Sequence, residues 1–378
     1  MNYQLKHFDT PLLTFTVIDD YDVPTVEIIS INEETKTLLP LDLELSNNGL
    51  SRWIKRRNVP KNRAYVQNLL NKLGLSINRP MNIIQVSLGL SLNDCYWIVE
   101  DGFEGQFDDY NLYDNKFNRA LGLIAFTGYG SNNRMSLVSC PEFTTNGALP
   151  KCWRRDKGVV KLYKGGTVGA SNTGNEPYSE FYASEIGKIL GVNIIDYRLS
   201  KWKNIICSTC EIFTSKEISY LPVGNVVCSG GIKAVYAYYE KLGPEFVKAF
   251  KEMLVFDAII CNTDRHFGNF GFLVDSHSNK IISPAPLFDH GNSLFNLAGR
   301  DDLQSYESLK EYADRMLPAV YDNFIQTAKD ALTPELHQGL RRLSNFKLKK
   351  HSHYNLDDSR LKKIEKIVQE RAKSILEG

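Results

Sequence analysis

Asn262-Thr263-Asp264-Arg265-His266-Phe267-Gly268-Asn269 is the stretch on which the reading of this chain turns. It follows Met253-Leu254-Val255-Phe256-Asp257-Ala258-Ile259-Ile260, an apolar run that predicts a buried helix. Asp264 and Asn269, five positions apart, therefore leave a helix end on one short loop. Downstream, Pro284-Ala285-Pro286-Leu287-Phe288-Asp289-His290-Gly291 carries a second aspartate behind an apolar, strand-like run. The offset between the aspartates, 289 − 264 = 25 residues, is enough for a hairpin that returns Asp289 beside Asn269. Asp-Arg-His alone is an ordinary surface turn, and Asp-x-Gly is commoner still. Their order, each behind an apolar element, sets them apart from turns.

The three side chains suit one chemistry. Phosphoryl transfer needs a group that orients or accepts the proton of the attacking hydroxyl, and others that hold magnesium against the phosphates. Asp264 fits the first role, and Asn269 and Asp289 the second, because magnesium prefers hard oxygen ligands. Asp-x-x-x-x-Asn is the spacing of the protein-kinase catalytic loop, and Asp289-His290-Gly291 differs from Asp-Phe-Gly at its middle residue alone. Arg265 and His266 are candidates to contact a transferring phosphate or to orient Asp264.

ATP-binding groups are expected upstream. Short strands are expected at 134–140 and 158–164, and a helix at 176–191 with Pro177 early and Gly191 as its cap. A kinase-like site needs a strand lysine for the phosphates and a helical glutamate to hold it, which selects Lys161 with Glu180 or Glu185. The phosphate-covering loop is placed at 144–151, around Gly147, because backbone N–H groups beside a glycine approach phosphate closely. No Gly-x-x-x-x-Gly-Lys-Ser/Thr is present, which argues against a P-loop NTPase.

The rest of the chain supplies context. Lys+Arg is 45 and Asp+Glu is 44, so bulk charge gives no reason to bind nucleic acid or an anionic membrane. No apolar run is long enough for a membrane span, and the first residues lack a signal-peptide core. Seven scattered cysteines without that signal are expected as free thiols in a reducing cytoplasm, Cys207-x-x-Cys210 included. Strands are expected at 13–18, 25–31, 194–200 and 205–213, and helices over 49–74 with a break at Asn58-Val59-Pro60. The basic residues of that region, Lys55, Arg56, Arg57, Lys61 and Arg63, are expected as a solvated face. Helices are expected at 232–241, 244–260, 307–314, 318–330, 333–343 and 357–377, whereas 80–126 has no clear pattern. The fold class is α+β and two-lobed, kinase-like. An additional N-terminal α/β region of unassigned role covers 1–125, a small strand-rich N-lobe 126–215, and a helical C-lobe 216–378.

With these residues placed, the chain resembles the HipA-like serine/threonine kinases, the toxin kinases of bacterial toxin–antitoxin modules. The likeness spans about 134 to 345. It rests on Lys161, on Glu180-Phe181-Tyr182-Ala183-Ser184-Glu185-Ile186-Gly187-Lys188-Ile189-Leu190-Gly191-Val192, on Asp264 to Asn269, and on Phe288-Asp289. The resemblance implies Glu180 as partner of the ATP lysine and an adenine-binding hinge at Glu211, Ile212 and Phe213. It implies Asp264 as the catalytic aspartate, Asn269 and Asp289 as magnesium ligands, and ATP between the lobes. It further implies a protein substrate with a Ser or Thr acceptor, an antitoxin as candidate partner, and self-phosphorylation at Thr144 or Thr145. Two alternatives stand beside it, a phosphatidylinositol-kinase-like lipid kinase and a catalytically weak nucleotide-binding interaction module. The first is disfavoured because 292–302 holds Arg300 as its one basic residue.

Overall fold

Alternation of apolar and polar residues at the N-terminus builds an antiparallel sheet in the order Thr25–Ile31, Thr10–Asp19, Asn2–His7, Tyr96–Glu100. Its register pairs Leu5 with Leu13 and with Ile98, which puts Tyr3, Leu5 and Phe15 on the covered face. The computed structural model describes residues 1–130, 140–169 and 174–377. Two compact units share them: Met1–Lys164 with Glu211–Leu221 and Leu273–Ile282, and Gly165–Cys210 with Pro222–Phe272 and Ser283–Gly378.

In the first unit the helix Asn47–Arg56 packs Leu50, Trp53 and Ile54 onto the sheet. The helical region breaks near Asn58-Val59-Pro60 as expected and resumes at Val66–Asn71. Of its basic residues Arg57 and Arg63 are buried, whereas Lys55 is half-buried and Arg52, Arg56 and Lys61 are exposed, as expected of a solvated face. Arg52 pairs with Glu44, Lys55 and Lys61 with Asp22, Arg56 with Asp42, Arg57 with Asp94 and Arg63 with Glu142. The patternless stretch 80–126 holds two helices, Pro80–Ser87 and Arg119–Thr127, one short helical turn, and the strand Tyr96–Glu100. Aromatic residues dominate there because Trp97, Phe107 and Leu112 form a core with Val160, against which Trp153 and Ile212 pack.

A hairpin of Lys151–Asp156 and Val159–Gly165 turns at Lys157-Gly158, both at positive φ. The first of these strands was not expected, because Lys-Cys-Trp-Arg-Arg-Asp has the polarity of a loop. Its charges are absorbed locally: Arg154 lies over the Tyr163 ring, and Arg155 donates to the carbonyls of Tyr113 and Asn115. The strand expected at 134–140 lies, apart from Cys140, outside the described residues.

The second unit is mainly helical. The helix Glu176–Leu190 ends on Gly191 at φ 92°, the left-handed cap the sequence predicts. Pro244–Ile260 is buried along most of its length. Tyr306–Arg315, Pro334–Leu343 and Asp358–Leu376 match expectation, and the last buries Leu361, Ile364, Val368, Ala372 and Ile375. The helix expected from 318 begins only at Phe324, where the Asn323 side chain accepts the Gln326 N–H as N-cap. The strand expected from 194 begins at Arg198. Ile194 instead forms an isolated parallel bridge to Leu287, with Ile195 N–H donating to Leu287 O at 3.0 Å and Leu287 N–H to Asn193 O at 2.8 Å. That bridge fixes the chain one residue before Phe288-Asp289. Cys207 and Cys210 lie three apart on one strand, so they point to opposite faces; both are buried and in no disulfide.

Candidate active site

The helix Pro244–Ile260 ends because Cys261 turns left-handed, at φ 52°, and throws the next residues into a loop. Asp257, in the last helical turn, and Arg265, on the loop, are both fully buried and form a bidentate pair at 2.9 and 3.0 Å. Burial pushes the Asp257 carboxyl up, while the Arg265 guanidinium pulls it back down. The Asp257 carboxylate in turn raises Arg265 against its own burial, so the guanidinium stays charged.

Arg265 uses all of its donors. Besides the two bonds to Asp257, Nη1 donates to Asn269 O at 3.0 Å and Phe288 O at 2.6 Å, and Nη2 meets His290 Nδ1 at 3.1 Å. A guanidinium only donates, so His290 Nδ1 accepts and its ring proton sits on Nε2. One buried cation thus ties the catalytic loop to the segment carrying Asp289. This corrects the expectation that Arg265 contacts a phosphate: at 0% exposure it is a clamp. His266 is exposed, and its Nδ1 accepts the Gly268 N–H at 3.0 Å.

Asp264 is held from three sides by asparagines. Its N–H donates to Asn262 Oδ1 at 3.1 Å, its carbonyl accepts from Asn269 Nδ2 at 3.1 Å, and its Oδ2 accepts from Asn292 Nδ2 at 3.0 Å. Among the described residues no donor reaches Asp264 Oδ1, which is therefore open to a hydroxyl. The bond from Asn269 Nδ2 turns its Oδ1 away, an available oxygen ligand. That amide oxygen and the Asp289 carboxylate are the donor set magnesium accepts when phosphate oxygens complete it. Among the described residues no group of three or more His, Cys, Asp or Glu could hold a metal ion.

Asp289 itself sits at φ 58°, a strained value for a non-glycine residue. Its N–H donates to Tyr197 Oη at 3.2 Å, and the next N–H, of His290, donates to Glu180 Oε2 at 2.8 Å. Burial, reinforced by the Glu180 and Asp289 carboxylates, holds the Tyr197 phenol far above its usual range, so it stays protonated. Glu180 is fully buried on Glu176–Leu190 and shapes the turn that presents Asp289. Tyr197, Asn262 and Asn292 were not picked out in the sequence; an asparagine two residues before Asp264 and another three after Asp289 were the available signal.

The upstream expectations fare differently. Lys161 is partly exposed, at 27%, and its ammonium lies 3.6 Å from Glu211 and 4.0 Å from Asp156. Lys164, three residues on, is 5% exposed. Glu211 therefore engages Lys161 through its side chain; Ile212 N–H donates to Val160 O at 3.0 Å, and Phe213 packs edge-on against Tyr220. The loop at 144–150 precedes the strand Lys151–Asp156 instead of linking the two expected strands. Gly147 is at φ 92°, and Lys151 Nζ donates to Asn146 O at 2.8 Å. Thr144 Oγ1 donates to Leu90 O at 2.9 Å and Thr145 Oγ1 to Pro141 O at 2.7 Å. Both hydroxyls are thus engaged inside the first unit.

Fold and site together define a class: an α+β, kinase-like architecture of the HipA type. Comparison with known proteins gives its particulars. HipA of Shewanella oneidensis MR-1, solved with HipB and operator DNA as a toxin–antitoxin system, aligns over 99% of this chain and 96% of its own at TM-score 0.52 and 14% identity. That shows the fold. Serine/threonine-protein kinase CtkA of Helicobacter pylori is 32% identical over 167 residues, 40% of this chain and 50% of that protein, so the match spans about half the length of this curated relative. No family model matches. The resemblance to HipA-like kinases stands on both findings, and neither favours a lipid kinase or a binding module.

Proposed function

We propose that the chain is an ATP- and magnesium-dependent serine/threonine protein kinase of the HipA-like kind. The observation that carries this is the Arg265 clamp, which gives Asp264, Asn269 and the segment of Asp289 one rigid framework. Similarity to CtkA supports the choice of a Ser or Thr acceptor. Asp264 Oδ1 accepts the proton of the acceptor hydroxyl as its oxygen attacks the γ-phosphorus. The bond from that phosphorus to the bridging oxygen breaks, and ADP leaves. Asn269 Oδ1 and the Asp289 carboxylate would hold magnesium. The ion, when bound, neutralises charge on the β and γ phosphates.

For the phosphate-contacting lysine we keep Lys161, the strand lysine that the resemblance implies. An antitoxin protein as partner follows from the HipA–HipB complex by analogy, and its test is co-purification from the native host. The charge balance gives no reason to add direct nucleic-acid binding. No helix of the described residues is long and apolar enough to cross a membrane.

The test of the activity is incubation of the intact chain and its Asp289→Ala variant with labelled ATP and magnesium in a cell lysate. A labelled protein band seen only with the intact chain is expected. Asp264→Ala should lower turnover roughly 10²–10⁴-fold. Equal labelling by intact chain and variant overturns the assignment.

A further inference from the structure

We infer that Asn292 is a positioning residue for the reaction: its amide fixes which oxygen of Asp264 faces the acceptor and makes that aim depend on the segment following Asp289-His290-Gly291. The inference rests on the kinase reading above.

The geometry is specific at every atom of Asn292. Its Nδ2 donates to Asp264 Oδ2 at 3.0 Å. Its Oδ1 accepts from Asn296 Nδ2 at 3.2 Å, which settles the amide orientation, because a flipped amide would set oxygen against carboxylate and donor against donor. Its carbonyl accepts both the N–H of Thr263, at 3.1 Å, and the Thr263 hydroxyl, at 3.3 Å. Leu294 N–H donates to Ile260 O at 2.8 Å, so the segment is laced to the catalytic loop on both sides of the amide. Asn296 is itself buried, and its carbonyl accepts Asn175 Nδ2 at 2.9 Å. The amide therefore has one available orientation and one available place.

The consequence is chemical. An aspartate on a short loop rotates about its last side-chain bond, which exchanges its two oxygens. A donor held on Oδ2 stops that exchange and leaves Oδ1 as the acceptor for the hydroxyl. Neither Asn262 nor Asn269 does this, since both bind the backbone of Asp264. Asn292 alone, among the described residues, donates a hydrogen bond to the carboxylate. Because it sits three residues after Asp289, displacement of that segment removes the metal ligand and the aim of Asp264 together.

The test is ADP release by the full chain with ATP and magnesium. Asn292→Ala should lower kcat about 10- to 100-fold, the range of one hydrogen bond to a charged group, with KM for ATP unchanged. Asn292→Asp keeps the shape and the bond from Asn296 but loses the donor, so it should be at least as slow as Asn292→Ala. In an Asp264→Ala background, Asn292→Ala should cost nothing further, because the group it positions is gone. Losses that add in the double variant, or an Asn292→Asp enzyme at full rate, overturn the inference and leave the kinase reading intact. No ADP release by the unaltered chain overturns both.

Discussion

Arg265 separates what stability needs from what the site needs. Its pair with Asp257 is buried, and replacing a buried pair by apolar groups is often neutral or stabilising, whereas removing one partner costs about 3–5 kcal/mol. Arg265→Met should therefore destabilise the chain by that amount, read as a lowered urea midpoint. Combining it with Asp257→Leu should recover most of the loss. Activity should not return, because the carbonyls of Asn269 and Phe288 lose their shared donor and the two loops lose their tie. A double variant that regains both stability and ADP release would show that the clamp serves only to neutralise Asp257. Arg265→Lys should stay inactive for the same geometric reason, since a lysine ammonium cannot span five acceptor directions.

The helix Glu176–Leu190 is where an element, and not a residue, determines the site. It carries Glu180 to the His290 N–H, so its position along its axis sets the Asp289 turn. Its C-terminal carbonyls would be orphaned, and Arg342 on Pro334–Leu343 supplies donors, with Nε at 3.1 Å and Nη2 at 2.8 Å from Ile189 O. The two helices approach closely enough that a Cβ on Gly339 would lie 2.1 Å from Leu190 O, a backbone atom that no rotamer change moves. Gly339→Ala should accordingly cost about 1–3 kcal/mol and reduce turnover by shifting the helix. A variant with an unchanged urea midpoint would mean that the helices part without strain. The sequence announced this helix through Pro177 and Gly191, and the catalytic stretch through its spacing. It did not announce Lys151–Asp156, whose charges are tolerated only because Tyr163 and distant carbonyls receive Arg154 and Arg155. Nor did it foresee that Lys161 pairs with Glu211 and Asp156.

Across the molecule, near-equal acid and base totals coexist with a first unit in which the basic helix region is paired residue by residue, and this bears on how stability responds to pH. The group in that unit placed to respond near neutrality is His7, buried between the rings of Phe8 and Tyr96. Burial lowers it to about 4, assisted by His277 and opposed by Asp94 and the backbone at Ser276. The unfolded chain therefore binds a proton at His7 between its ordinary 6.5 and about 4, whereas the folded chain does not. Stability rises with pH across that window, and the contribution is lost as pH falls from 6.5 toward 4. Two and a half units correspond to about 3 kcal/mol in full, of which about 2 kcal/mol should be gone by pH 5. Trp53 and Trp97 lie in the cores on either side of the sheet, so urea unfolding followed by tryptophan fluorescence reads this unit. His7→Gln removes the titration while keeping a polar side chain. The unaltered chain should lose about 2 kcal/mol more than the variant between pH 7 and pH 5. Parallel losses would show that His7 takes up its proton in the folded state, and that the ring sandwich opens to water well before the sheet unfolds.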